Sequence, residues 1–377
     1  MNRKISGRLV ELDGLRGLAC LSVLIAHYFG EVAHGFKFLA LGWAGVDLFF
    51  CLSGFLIGGI LLDNRDSSSY FWTFYIRRSF RIFPVYYVTI SLVLIAIAWG
   101  QANHPGWIDA ALPSPAYYTY SQNFILALVG DHATAWLLPT WTLCVEEQFY
   151  LLLPLIIYLI PCDKLLKILF LLITCASVFR LILLLLGADD MALHVLLPSR
   201  WDLLLLGVLA ACLYRRQGVW EKLISRNRRL LKWGVASGAV GMVALVLIDK
   251  HFDLKSFDVV GSFFVGVCCI SFLLLTISGT VEGARFRSRI LCYFGTISYG
   301  LYLVHQPIAG LLHGFLLDGR PDVATTAQIL VTLGALTLSI IVASISWKFF
   351  ERPLVKLGHR WRYGRAERPA RSRVSMA

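Results

Sequence analysis

Charge is scarce in this chain. Asp, Glu, Lys and Arg make up 15% of its 377 residues, against 58% hydrophobic residues and a mean hydropathy of +0.69. That excludes an ordinary soluble domain, in which about a quarter of the residues are charged. No long polar stretch remains in which such a domain could sit: the longest segments outside apolar runs are 101–140, which has no Lys or Arg, and the basic end of the chain. The nine cysteines (Cys20, Cys51, Cys144, Cys162, Cys175, Cys212, Cys268, Cys269 and Cys292) lie in or beside apolar runs and form no Cys-x-x-Cys pair. Neither a disulfide framework nor a zinc site is expected from them. There is no internal repeat, and the only low-complexity tract is the Arg-rich end RWRYGRAERPARSRVSMA.

What is present is a series of apolar runs near the length of about 20 residues that a bilayer span requires. Ten are found, at 9–29, 42–62, 82–100, 141–160, 164–187, 197–214, 230–248, 259–278, 290–315 and 327–349. The expected fold is an all-α polytopic membrane protein of about ten transmembrane helices. The net charge of +12 records topology rather than affinity for nucleic acid. With an inner N-terminus and alternating spans, 28 of the 35 Lys and Arg fall in inner segments, from Arg3, Lys4 and Arg8 to the nine between Lys348 and Arg373. The outer loops hold five, counted as Lys37, Arg200, Lys250, Lys255 and Arg320, and Arg16 and Arg180 lie within spans. This bias places both termini in the cytoplasm by the positive-inside rule. Residues 1–30 carry Asp13, Arg16 and His27 in their apolar run and lack a small-residue cleavage pattern, so they read as a retained first span. Residues 1–355 are taken as the transmembrane domain and 356–377 as a basic cytoplasmic tail drawn to anionic lipid. The segment 70–87 reads as an interfacial helix entering the third span at Pro84, and 123–130 is too short to span.

Ionisable side chains inside a bilayer cost several kcal/mol unless protein or water surrounds them, so each is a candidate functional group. At 1.5 Å per residue, His27 lies about 25 Å from the inner end of the first run and His305 about 23 Å from that of the ninth, while Asp47 and Glu146 lie about 8 Å below the outer face. Four ionisable groups on four helices are thus expected to meet in one layer as an acid-base centre. Arg16 precedes His27 by a spacing that puts the two within about 20° on one helical face and roughly 16 Å apart. Arg77, Arg78 and Arg81 cluster at the inner interface. A cationic floor below a long shaft suits an elongated anionic donor bound by its phosphates, a shape that coenzyme A has. The same three arginines also fit the positive-inside pattern.

These residues resemble acyltransferase family 3, a family of membrane acyltransferases. The resemblance is carried by ELDGLRGLACLSVLIAH (11–27) with its Arg-x10-His spacing, GWAGVDLFFCLSGFLI (42–57), RRSFRIFPVYY (77–87) with an Arg-x-x-Arg pair, and WTLCVEEQFYLLLP (141–154). RWDLLLLG (200–207), SYGLYLVHQP (298–307) and FERP (350–353) complete it across nearly the whole chain. It implies a bacterial inner (plasma) membrane enzyme that acylates a surface polysaccharide, a lipo-oligosaccharide or a related acceptor. It implies His27 as the essential histidine with Arg16 its partner in the Arg-x10-His motif, Arg78 and Arg81 at the donor, and Glu146 as the acid of the motif that begins at Trp141. Many relatives carry a further hydrolase-like domain, which is not found in these 377 residues.

The expected activity is therefore an acyl-CoA-dependent O-acyltransferase, transferring an acetyl or other acyl group from cytoplasmic acyl-CoA to a hydroxyl of a glycan or glycolipid. No tightly bound cofactor, metal or nucleic acid is expected. His27 and Glu146 are the catalytic candidates and Arg16, Arg77, Arg78 and Arg81 the donor-binding ones. Asp13, Asp47, Trp141 and His305 are supporting polar groups. His27 would act as the base, with Glu146 or Asp47 orienting its ring. Direct transfer and an acyl-His27 intermediate both fit, and the acceptor is expected at the outer mouth. Ser53 in CLSGFL is read as part of a Ser-Gly packing pair rather than as a nucleophile. A proton-coupled secondary transporter using the buried His, Asp and Glu is the alternative, but it predicts inverted repeats and none is found.

Overall fold

The computed structural model describes residues 9–104, 106–130, 134–225, 227–252, 257–279 and 281–364. The basic residues at positions 3, 4, 8, 226 and 255, and the tail beyond Gly364, lie outside the described residues. Among the described residues all regular structure is helical. Ten helices are long and apolar enough to cross a membrane: α1 Val10–Gly30, α2 Lys37–Asp63, α3 Tyr70–Asn103, α4 Leu138–Leu159, α5 Cys162–Leu185, α6 Asp190–Arg215, α7 Arg228–Ile248, α8 Val259–Thr276, α9 Arg289–Leu317 and α10 Thr326–Gly358.

The apolar runs locate these helices well, and α3 and α10 extend furthest beyond them. The interfacial segment and the third span are one continuous helix of 34 residues with Pro84 inside it. Pro84 removes one helical hydrogen bond without ending the helix, because burial of Ile82 before it and of Val85, Tyr86, Ile90 and Val93 after it holds both sides in line. The last span continues past residue 349 through a π-helical turn, Trp347–Glu351, to Gly358. Arg200, counted above as a loop residue, lies instead inside α6 and is buried.

Helix α1 packs between α2 and α9, α2 also packs on α6, α6 on α5, α9 on α10, and α7 on α8. Close approach at two of these contacts requires glycine. A Cβ on Gly54 of α2 would stand 1.8 Å from the Leu204 carbonyl oxygen, and one on Gly207 of α6 would stand 2.1 Å from the Cys51 oxygen. The α1/α9 crossing is the same: Gly17 and Gly295 face backbone oxygens at 1.9 and 1.8 Å. Small residues at such crossings let backbones touch where no hydrophobic force separates helix from lipid. Between α3 and α4, the described part of 106–137 forms two short helices, Ser114–Tyr118 and Gln122–Val129. It packs through Trp107 and Trp136 against Gly314 and Gly310 of α9.

Buried ion pairs pin the helices further. Arg180 of α5 bonds Asp202 of α6 at 2.9 Å and Arg215 of α6 bonds Asp63 of α2 through two nitrogens at 2.8 and 2.5 Å, while Arg200 of α6 pairs with Asp47 of α2.

Candidate active site

A cavity of about 490 Å³ runs between α1, α2, α3, α4 and α9, within the usual size of a small-molecule site. On α2 its lining extends from Val46 to Asn64, roughly 27 Å of helix at 1.5 Å per residue. It is therefore a shaft through most of a bilayer's thickness. At one end, called the basic end, it is lined by Asp13, Arg16, Asp63, Arg78, Arg81 and Arg215. At the other it is lined by Val46, Phe49, Thr142 and Tyr302.

The arginines of the basic end fall into two kinds. Arg215 is fully engaged, with Asp63 and with the backbone oxygens of Ala211 and Gly59. Among the described residues, the ion-pair partner of Arg16 is Asp13, at 3.7 Å. Arg78 lies over the Tyr150 ring at 4.6 Å, and neither it nor Arg81 makes a hydrogen bond or ion pair with a described residue. Helical phase explains why Arg78 and Arg81 turn to the shaft together: residues three apart share a face. Arg77, one position earlier, is rotated about 100° away. It does not join the expected cluster; its Nε donates to the Trp361 carbonyl at 2.8 Å and its guanidinium lies 5.1 Å from the Tyr363 ring centre.

Glu146 lines the shaft on α4, one turn from Thr142 on one side and one turn from Tyr150 on the other, all on the same face. The Ser53 and Tyr150 hydroxyls bond each other, and both face the Glu146 carboxylate, with Arg78 and Arg16 beyond. So Gly54 supplies the packing expected of the Ser-Gly pair, while Ser53 points into the shaft.

Past Tyr302, one helical turn along α9, stands His305, buried and bonded to His27. Of the four groups expected to meet in one layer, these two do. His27 Nδ1 and His305 Nε2 are 2.7 Å apart and the rings are within 6° of coplanar. His305 Nδ1 is 2.7 Å from the Tyr302 carbonyl oxygen, which can only accept. His305 therefore carries its proton on Nδ1, His27 donates from Nδ1 to His305 Nε2, and the lone pair of neutral His27 is left on Nε2. That nitrogen is 3.6 Å from a Glu31 carboxylate oxygen. Tyr28 steadies the pair by donating to the His305 carbonyl at 2.8 Å.

His27 sits in a π-helical turn, Ala26–Gly30, closed by the Glu31 amide on the Ala26 oxygen at 2.8 Å. Such turns insert a residue into the helical repeat and occur often at functional sites. The turn breaks the α-helical phase from which Arg16 and His27 were placed on one face, and only Arg16 lines the shaft. Neither expected carboxylate orients the His27 ring. Glu146 faces Ser53, Tyr150 and the arginines, and Asp47 is held by Arg200. His305 and Glu31 stand in their place. Trp141 does not line the shaft; it packs edge-on against Phe50 at 6.1 Å and near Arg200. Asp13 lines the basic end beside Arg16. Glu31, Tyr302 and Tyr150 are site residues that the sequence reading did not single out, and Ser53, read there as a packing residue, lines the shaft. The Tyr302-x-x-His305 spacing was the one available signal.

Fold and site together define a multi-pass membrane protein with a cationic shaft and a histidine pair at its far end. Residues 9–348 match the acyltransferase domain of acyltransferase family 3, and the chain belongs to that family. It is similar to peptidoglycan O-acetyltransferase OatA of Listeria monocytogenes, 29% identical over 368 residues, covering 92% of this chain and 56% of that protein. It is also similar to O-acetyltransferase OatA of Staphylococcus aureus, at 25% identity, covering 93% of this chain and 58% of that protein. The chain thus spans a little over half the length of these relatives. No solved structure matches it.

Proposed function

We propose that this chain is an O-acyltransferase that moves an acetyl group from cytoplasmic acyl-CoA to a hydroxyl of a cell-envelope glycan, with both termini in the cytoplasm. The observation that carries the reading is the set of shaft arginines without full protein partners, opposite a histidine whose Nε2 is left basic. Three cations held in a partly desolvated shaft that offers them only the Asp13 and Glu146 carboxylates are costly unless a ligand supplies further anion. Arg16, Arg78 and Arg81 would take the donor's phosphates at the basic end, and about 27 Å of shaft lets the thioester extend toward Tyr302. The two relatives bear O-acetyltransferase names, which favours acetyl, and one is named for peptidoglycan, which favours a glycan acceptor.

His27 Nε2 takes the proton of the acceptor hydroxyl as that oxygen attacks the thioester carbonyl carbon. The Glu31 carboxylate then faces the new Nε2–H and stabilises the imidazolium, while His305 holds the ring through Nδ1. The Thr142 and Tyr302 hydroxyls, which donate to the Pro139 carbonyl at 3.0 and 2.9 Å, reach the tetrahedral oxyanion by rotating away from that carbonyl. When the carbon–sulfur bond breaks, the proton passes from His27 to the leaving thiolate. Glu146, with Ser53 and Tyr150, balances the arginine charge midway along the shaft.

The test is transfer of label from radiolabelled acetyl-CoA to glycan extracted with membranes expressing wild type or His27→Ala, matched for expression and thermal stability. Label reaching acceptor with the wild type alone supports the reading. No transfer by either, across acetyl and longer donors and a broad acceptor pool, shifts the weight to a transporter.

A further inference from the structure

The segment that follows α10 is docked along one face of α3. The Gly358 backbone meets Phe80, where an added Cβ would stand 2.9 Å from the Phe80 Cβ, and Trp361 stacks on the Phe80 ring at 5.4 Å. The Trp361 carbonyl accepts from Arg77, the Arg362 carbonyl accepts from Ser69 and Thr73 at 3.3 Å, and the Gly364 amide donates to Ser69 at 2.9 Å. Residues 69, 73, 77 and 80 lie on one face of α3. The strap therefore runs from beside Arg81, which lines the shaft, back to the loop just after Asn64, which also lines it. It borders the basic mouth.

Two of its features are unexplained by packing. The Tyr363 hydroxyl is shielded from solvent and has no hydrogen-bond partner among the described residues, although Tyr363 lies within the fields of Arg77 and Arg78. A buried hydroxyl left without a partner is a destabilising arrangement that proteins rarely keep without cause. Arg77 spends its Nε on the strap and makes no other hydrogen bond or ion pair with a described residue, so its terminal nitrogens are open to an anion. A phenol O–H and the guanidinium fork that lies 5.1 Å from its ring centre, side by side near the mouth of an anion shaft, are groups that a phosphate monoester uses.

We propose that the strap reads the nucleotide end of the donor: Tyr363 Oη and Arg77 take the ribose 3′-phosphate of the coenzyme A thioester, making the enzyme selective for it over 3′-dephospho donors. This rests on the acyl-CoA reading above. It gives Arg77 a donor role at the rim, separate from that of Arg78 and Arg81 inside.

Isothermal titration of the full chain in nanodiscs tests it, with coenzyme A and 3′-dephospho-coenzyme A as probes. The wild type is expected to prefer coenzyme A by about tenfold or more, the scale of losing one hydrogen bond to a charged group. Tyr363→Phe, which keeps the ring under Arg77, and Arg77→Gln should each collapse that preference to about twofold and leave the 3′-dephospho affinity unchanged. Equal wild-type affinities, or a preference that survives both variants at matched thermal stability, overturn the strap's role. If the preference survives them while Arg78→Gln abolishes binding of both probes, the donor reading stands and the strap proposal alone fails. Absence of any binding by the wild type removes both.

Discussion

Replacing His305 by alanine should leave the donor bound and the chemistry crippled. His305 does not line the shaft, so donor affinity has no direct contact to lose. What goes is the acceptor for His27 Nδ1–H, 2.7 Å away, at a position with no exposure to solvent. A buried donor left unpaired costs about 1–3 kcal/mol. That cost rises in the transition state, when the ring becomes imidazolium and no longer has a neighbour to hold it in the productive tautomer. At about 1.4 kcal/mol per factor of ten, kcat should fall roughly 10–100-fold, with KM for acetyl-CoA within about threefold. His305→Asn returns an acceptor oxygen and should recover part of the loss. The assay is initial-rate label transfer over a range of acetyl-CoA, with donor affinity measured separately. A kcat within threefold of wild type, or a donor affinity that falls in step with kcat, would refute the proton arrangement deduced for the pair.

Other perturbations separate the shaft from the scaffold. Arg78→Gln and Arg81→Gln should raise KM for acetyl-CoA by about 10–100-fold each, the value of a charge-assisted hydrogen bond, and leave kcat at saturation nearly unchanged. Asp47→Ala should strand the buried Arg200 guanidinium and cost about 3–5 kcal/mol of stability, read as a lowered unfolding temperature in detergent with donor affinity intact in the folded fraction. Gly54→Ala drives a methyl into the Leu204 carbonyl, and since backbone cannot yield cheaply it should destabilise by about 1–3 kcal/mol or more in the same assay. At the histidine end, burial works to raise the Asp322 pKa, but hydrogen bonds from the His34 ring and amide and from the Val323 amide outweigh it and hold the carboxyl below its ordinary 3.8. A depressed carboxyl stabilises above its unfolded value, so this tie should weaken as pH falls below about 4. Hydrogen exchange in residues 31–36 that is no faster at pH 3 than at pH 6, after correction for intrinsic rates, would contradict it.

How much of this was legible in the sequence depended on whether one helix or two decided the outcome. Ten apolar runs sufficed for ten helices because each run carries its own hydropathy. Arg78 and Arg81 could be paired by helical phase alone, and so could Thr142, Glu146 and Tyr150. The shared depth of His27 and His305 was legible from counting residues along each span. The partner assignments were not, because depth says nothing of rotation about the helix axis. Asp47 and Glu146 matched the histidines in depth and face elsewhere. Arg200 counted as a loop cation because it stands near the start of its run, and only the packing of α2 on α6 reveals its pairing with Asp47. The π turn at His27 adds a residue to the helical repeat, and no residue in AHYFG announces it.

The contrast between paired and open charges separates scaffold from site better than burial does. Arg180, Arg200 and Arg215 are each buried and each meet an aspartate on a neighbouring helix, so their charge is spent within the fold. Arg16, Arg78 and Arg81 are less buried yet short of partners, and all three line the same shaft. If burial marked function, the first three would be the candidates; if unmet charge does, the second three are. Substituting each of the six with glutamine decides the matter. The first set should lower thermal stability and spare donor affinity in the protein that still folds. The second should lower donor affinity and spare or raise stability, because removing one of several mutually repelling cations relieves the shaft. A loss of stability in Arg78→Gln as large as that in Arg200→Gln would mean that the shaft arginines are scaffold too, and the case for an anionic donor would lose its main support.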